Sequence, residues 1–324
     1  MDSPLWQTFP FGCIVMPSLQ NGFGLDYVEC LFVSDDVEDT RPSAIADNPV
    51  RSVQATLTHL ERRLNAGLHR VLVVGVCDRP SLDLPLQQGF CVSTLLRQAR
   101  QRWRNSLTLI ADVGLSPYQT CGHSVLLSKA DDVLIDEEGS YVAAARLAEA
   151  FIAAGADAVA PCLSLPRQTG AIRAHLDAAG LEHGEILPYT IKFSSSLYGP
   201  YREAIGSDLG LLRKSYQFDQ GDAELALGQL REDLSQGAVG TIVKPALPYL
   251  DLLARTTSTI SQPVAVYHVS GEYMMAIQAA GTGLIHADDY FDEVHAAFRR
   301  CGARYVIGYA ADHFLRWQNS QRDR

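Results

Sequence analysis

Four lysines occur in this 324-residue chain, Lys129, Lys192, Lys214 and Lys244, so its basic surface is carried almost wholly by arginine. Two of them, Lys192 and Lys244, end the apolar runs TIKF and TIVKP. Most lysines are solvated surface groups. A lysine at the end of a buried strand is different, because an ammonium held away from water is costly unless it is neutralised or used. Burial lowers its pKa from about 10.4 toward neutrality, leaving a free amine that attacks a ketone and forms a Schiff base. Covalent imine chemistry is therefore preferred here over surface placement. After Lys192 comes FSSSLYGPYREA (193–204), a small polar loop punctuated by Gly199-Pro200 and suited to covering a site. Arg202 and Arg213, in or just beyond it, suit bidentate binding of a substrate carboxylate; solvated arginine is the plainer reading of each.

The elements that must position these groups follow from the hydrophobic pattern. Short apolar, β-branched runs recur at 28–34, 70–76, 107–113, 157–162, 185–193, 240–245, 263–270 and 305–310. Amphipathic helix-like stretches lie between them, among them 50–67, 140–155 and 222–237. In the last, Leu225, Leu230 and Leu234 fall near helical spacing, with Glu232 and Asp233 left to face water. Helices are expected to stop at Gly67, Gly180 and Gly237 as left-handed caps. Eight near-continuous apolar strands alternating with helices predict an α/β fold with a parallel sheet covered on both faces. The count favours a closed (β/α)8 TIM barrel, with the open doubly wound sheet as the alternative. In such a barrel the reactive groups sit at the C-terminal ends of the strands. The expected division is an N-terminal extension or arm over 1–27 and the barrel catalytic domain over 28–324.

Composition narrows the partners. With 47% hydrophobic and 20% charged residues the chain is globular, and it contains no apolar run of about 18 residues to cross a bilayer. A net charge of −10 argues against nucleic acid or an anionic membrane. Seven scattered cysteines without a CxxC pair suggest reduced thiols and a cytoplasmic protein. No G-x-G-x-x-G or P-loop follows any strand, so a nucleotide cofactor lacks its usual signature.

Four segments carry a resemblance. IKFSSSLYGPYREA (191–204), TIVKPALPYLDLL (241–253), PVAVYHVSGEYMMAIQAAG (263–281) and LTLIADVGLSPYQTCGHS (107–124) resemble signature segments of the porphobilinogen synthase, or 5-aminolevulinic acid dehydratase, family. The resemblance implies a TIM barrel lyase that condenses two molecules of 5-aminolevulinate into a pyrrole for tetrapyrrole and heme biosynthesis, losing two waters. By position it implies that Lys244 forms the imine with the substrate giving the propionate side, and Lys192 with the acetate-side substrate. It implies that Arg202 and Arg213 bind the acetate-side carboxylate, and Ser270 and Tyr309 the propionate-side one. Asp112 falls where a carboxylate accepts a proton near the acetate-side amino group. Tyr198 and Tyr249 are expected to pack near the lysines.

The chain departs from that family in its metal segment. Where members place three cysteines or carboxylates, this sequence has Gly114, Ser116 and Ser124. Neutral hydroxyls and a glycine replace neither thiolates around zinc nor the charge a hard cation wants. The expectation is a site that requires no metal; zinc or magnesium at a non-standard site, drawn from Cys121, His123 and Cys162, is the alternative. Cys162 and Leu163 replace a Ser-Asp pair, and Pro166 replaces a later carboxylate, which suggests changed recognition on one side. Gln229 stands where many bacterial members have a glutamate for an allosteric magnesium. Residues 1–27 lack the basic arm of octameric members. The expected setting is a cytoplasmic homo-oligomer acting on a small keto acid. The rivals are a paralogue condensing a different aminoketone and a catalytically silent ligand-binding homologue.

Overall fold

The computed structural model describes residues 24–128, 134–207 and 216–322. Eight parallel strands form its centre: β1 (Asp26–Val33), β2 (Arg70–Gly75), β3 (Thr108–Val113), β4 (Ala158–Pro161), β5, β6 (Thr241–Lys244), β7 (Val264–Tyr267) and β8 (Tyr305–Gly308). The fifth run, 185–193, makes two ladders, Glu185–Ile186 against β4 and Ile191–Lys192 against β6. Between them Tyr189 N donates to Pro161 O (3.0 Å) and Ile242 N to Pro188 O (2.9 Å). β1 meanwhile pairs with both β2 and β8. The sheet therefore closes on itself, and the open alternative is set aside. Each of the eight apolar runs of the sequence is a barrel strand. β1 begins at Asp26, two residues before the expected boundary, and residues 1–23 of the expected extension lie outside the described residues.

The ten helices of the described residues cover the outside: α1 (Val53–Asn65), α2 (Cys91–Trp103), α3 (Glu137–Ala153), α4 (Gln168–Ala178), α5 (Gly199–Ala204), α6 (Ala223–Ser235), α7 (Leu250–Thr259), α8 (Ser270–Gly281), α9 (Ala287–Arg300) and α10 (Ala311–Arg322). After α1, α4 and α6 the chain turns at Gly67, Gly180 and Gly237, with φ of +89°, +71° and +101°. Only a residue without Cβ adopts that conformation without strain.

Strand alternation sorts the side chains into two layers. Tyr27, Leu31, Val71, Val73, Leu109, Ala111, Val243 and Val266 pack outward under the helices. Val28, Cys30, Phe32, Leu72, Ile110, Ala160, Ile242 and Tyr267 fill the barrel interior. The same period of two sends Asp112, Cys162, Lys192, Lys244 and Tyr309 to the inner face.

α6 differs from expectation in its face. Ala226, Leu227, Leu230 and Asp233 are the buried positions, whereas Leu225 is 62% exposed. Asp233 is fully buried rather than solvated, because Thr169 Oγ1, Thr190 Oγ1 and Gln229 Nε2 all donate to its carboxylate at 2.8, 2.7 and 3.3 Å. Burial pushes its pKa up, and these donors pull it back. Two threonines on neighbouring elements satisfy the charge that polarity alone would send to water.

Candidate active site

Lys192 and Lys244 are register partners across the β5–β6 ladder, so both side chains leave the sheet on the same side. Both are buried, at 4% and 8% exposure. Their Nζ atoms lie 6.0 and 4.8 Å from the centroid of one ring, that of Tyr189 on β5. They line a common cleft with Gly114, Ser116, Ser124, Cys162, Tyr198 and Tyr201. Lys192 Nζ donates to the carbonyl oxygen of Cys162 at 2.6 Å.

Asp112, at the end of β3, is the carboxylate of this cluster. Tyr189 donates its hydroxyl to Oδ2 at 3.0 Å, and the thiol of Cys162 lies 4.0 Å from Oδ1. Burial raises the pKa of Asp112, opposed first by the charge of Lys244, then by the Tyr189 hydrogen bond and Lys192. A carboxyl so held is poised nearer to neutrality than an exposed one, which suits proton exchange. Cys162 is likewise pushed up by burial and by Asp112, so it stays a thiol.

The cover expected after Lys192 is built as a turn at Ser196–Tyr198 followed by α5. Tyr198 donates to Phe193 O at 2.6 Å, and Tyr201 N donates to Ser270 Oγ at 3.0 Å, tying α5 to the start of α8. Gly271 permits this contact: a Cβ there would lie 2.5 Å from Leu197 O. Ser207 Oγ donates to Gly122 O at 3.2 Å, seating the end of the segment on the loop after β3. The Arg202 guanidinium lies 5.7 Å from the ring of Tyr198 and donates to Ser195 O at 3.4 Å. Tyr309 shares a hydrogen bond of 3.0 Å with the Tyr267 hydroxyl, deep in the barrel. Arg213 lies outside the described residues.

One expected member does not join. Tyr249 stacks on Phe193, with centroids 4.1 Å apart and planes within 7°, in the outer layer. Phe193 follows Lys192 in an extended strand, so its ring faces away from the lysines and takes Tyr249 with it. Three tyrosines not foreseen, Tyr189, Tyr201 and Tyr267, take up positions around Lys244 instead. Gln217 was also missed. It is 3% exposed, and neither polar atom of its amide has a hydrogen-bond partner among the described residues. It sits between Tyr216, which bonds His123 and Ser124, and Phe218, which pairs with Phe193. A buried amide unsatisfied among the described residues is available as a ligand donor.

Comparison with known proteins bears on this geometry. The family profile described as delta-aminolevulinic acid dehydratase matches residues 24–317, nearly the whole barrel. The chain belongs to the delta-aminolevulinic acid dehydratase family. It is 34% identical over 296 residues to the Streptomyces coelicolor enzyme of that name, covering 90% of this chain and 89% of the relative. It is 36% identical to the Eremothecium gossypii one over 299 residues, 89% and 86% of the two chains. Among solved structures, delta-aminolevulinic acid dehydratase from Toxoplasma gondii, bound to its product porphobilinogen, superposes with a TM-score of 0.86. That pair is 30% identical and covers 95% and 90% of the chains.

The family's metal segment carries neutral side chains here. Ser116 Oγ and Ser124 Oγ hydrogen-bond each other at 2.9 Å, and Gly114 offers no side chain. His123 Nδ1 is 3.2 Å from the Tyr216 hydroxyl, and Cys121 Sγ is 3.7 Å from Gln119 Oε1. Among the described residues no three His, Cys, Asp or Glu side chains converge as a metal set. Paired neutral hydroxyls lack the thiolate or carboxylate charge that zinc or magnesium needs, so this dehydratase segment does not fit the metal. Gln229, donating to Asp233, is likewise committed inside the fold.

Proposed function

We infer that this protein is a porphobilinogen synthase, condensing two molecules of 5-aminolevulinate into porphobilinogen with loss of two waters. The observation that carries the reading is the pair of buried lysines placed side by side on β5 and β6 and lining one cleft. Each amine condenses with one keto group. Mutual closeness helps, since one cation keeps the neighbouring amine neutral for attack. A carbon–carbon and a carbon–nitrogen bond then join the units, with Asp112 as the proton acceptor on the acetate side. Arg202 and Arg213 hold the acetate-side carboxylate. Ser270 and Tyr309 hold the propionate-side carboxylate through hydroxyls, which donate without adding charge. The segment 193–207 excludes water and so protects the imines.

The reaction proceeds here without the family's metal. The support is the donor chemistry of Ser116 and Ser124, and the protonated imine on Lys192 supplies the activation of its own substrate. The six free thiols among the described residues suit a reducing, cytoplasmic setting. The homo-oligomer rests on the family resemblance.

The test is turnover of 5-aminolevulinate by the purified chain, read as porphobilinogen. Product formation supports this reading. Imine formation without product favours the paralogue acting on another aminoketone, and absence of both contradicts an enzyme for this substrate.

A further inference from the structure

Four tyrosine rings surround the nitrogen of Lys244. The centroids of Tyr267, Tyr189, Tyr201 and Tyr198 lie 4.2, 4.8, 5.2 and 5.3 Å from Nζ. They arrive from β7, β5, α5 and the turn before α5, so separate parts of the chain assemble one enclosure. Lys192 is treated differently, its Nζ donating to a backbone carbonyl. A ring face is the negative end of the aromatic quadrupole. A cation within about 6 Å is attracted to it, and more strongly when water is excluded.

We propose that this enclosure favours positive charge on the Lys244 nitrogen at both ends of imine formation, in the starting ammonium and in the protonated imine, with Tyr267 its strongest contributor. The proposal rests on the imine reading above. In the overall step an ammonium and a ketone give a protonated imine and water. The C=N bond forms and the C=O bond breaks. The carbonyl oxygen leaves as water with two of the three ammonium protons, and the single positive charge is conserved. Attack itself needs the neutral amine, so one proton leaves Nζ in passing. The rings therefore leave the net equilibrium from ammonium unopposed. What they disfavour is the neutral imine, the weaker electrophile.

Other groups of the described residues also face Lys244. Asp112 from β3 favours the cation, and Lys192 from β5 opposes it by like charge. Cys30 from β1, pushed up to about 12 by burial, and Cys162 after β4 stay neutral thiols at pH 7. The phenols of Tyr189, Tyr201 and Tyr267, pushed up by burial, stay neutral too. Near pH 7 the enclosure is thus a set of neutral faces around one cation, with the Asp112 carboxyl as a counter-charge.

The test replaces Tyr267 by phenylalanine (Tyr267→Phe) and then by its mono-, di- and trifluorinated forms. Fluorination weakens the ring quadrupole at nearly constant size. All four variants lack the hydroxyl, so losing its bonds to Tyr309 and Cys30 is common to the series. Cyanoborohydride, which reduces the protonated imine, traps 5-aminolevulinate on Lys244, and peptide mass spectrometry gives the yield at each pH. The alkaline midpoint of trapping is expected to fall stepwise, by about one pH unit from phenylalanine to trifluorophenylalanine. A midpoint constant along the series, with adducts still forming, overturns the proposal. No Lys244 adduct in the unsubstituted protein at any pH overturns the imine reading itself, and the enclosure's role with it. The same series at Tyr201 gives a smaller shift in the same direction and keeps the test decisive if position 267 does not fold.

Discussion

Gly114 and Cys162 exclude one another's side chains: a Cβ built on Gly114 would lie 2.5 Å from Cys162 Sγ and 2.9 Å from Asp112 Oδ1. Where the family places a metal-binding side chain at the end of β3, this chain has filled the space from β4 instead. Gly114→Ala is therefore expected to destabilise by about 1–3 kcal/mol through overpacking. Combined with Cys162→Ala it costs less than the sum, with coupling of about 0.5–3 kcal/mol. Urea unfolding of the two single variants and the double checks this, and strict additivity contradicts it.

Asp112→Asn removes the acceptor while keeping the shape and the Tyr189 contact. The expected result is a loss in kcat of about 10²–10⁴-fold. Burial raises the Asp112 pKa, so the wild-type activity attributable to its carboxylate climbs with pH through that raised value. Steady-state rates across pH are expected to show this acid limb in wild type and not in the variant.

Glu272 joins the segment that follows Lys244 to the one that precedes Ser270. Its carboxylate accepts from Leu247 N at 2.7 Å and Val269 N at 2.6 Å. Burial raises its pKa to about 7. A carboxyl raised in the folded state binds more protons folded than unfolded between the ordinary value of about 4.5 and about 7. Its contribution to stability is thus full below that window and declines as pH rises through it, by at most about 1.4 kcal/mol per unit. Glu272→Gln lacks this decline. The stability deficit of the variant, from denaturant unfolding at several pH values, is expected to be largest near pH 4.5 and to shrink by pH 7. The buried, neutral His268 and His295, both lowered to about 3, act with the opposite sign but equally in both proteins.

Chelation tests the neutral metal segment. With Ser116 and Ser124 bonded to each other, extended dialysis against a chelator is expected to leave porphobilinogen formation unchanged, and added zinc to leave it unchanged again. Activity lost on dialysis and restored by zinc contradicts a metal-free reaction.

All eight strands were legible because a parallel strand covered on both faces reads as a continuous apolar run. Lys192 and Lys244 stood out for a related reason, as charged residues ending such runs. What lay hidden depended on contacts between distant segments. Asp233 looks solvated until Thr169 and Thr190 arrive from other elements to satisfy it. Tyr249 seemed close to Lys244 in sequence, yet Phe193 holds it on the outer face. Tyr189, Tyr201 and Tyr267 are unremarkable as core tyrosines in sequence, and only barrel closure brings their rings to one nitrogen. Gln217 carries no pattern at all; its signal is an amide left unpaired among the described residues.

The most direct test of the two-lysine site is borohydride reduction of the protein in the presence of 5-aminolevulinate, with peptide mapping of the adducts. The account predicts covalent modification at Lys244, with a second adduct at Lys192 as substrate concentration rises, and none at Lys129 or Lys214. Protein that turns over 5-aminolevulinate while neither Lys244 nor Lys192 is labelled would contradict it.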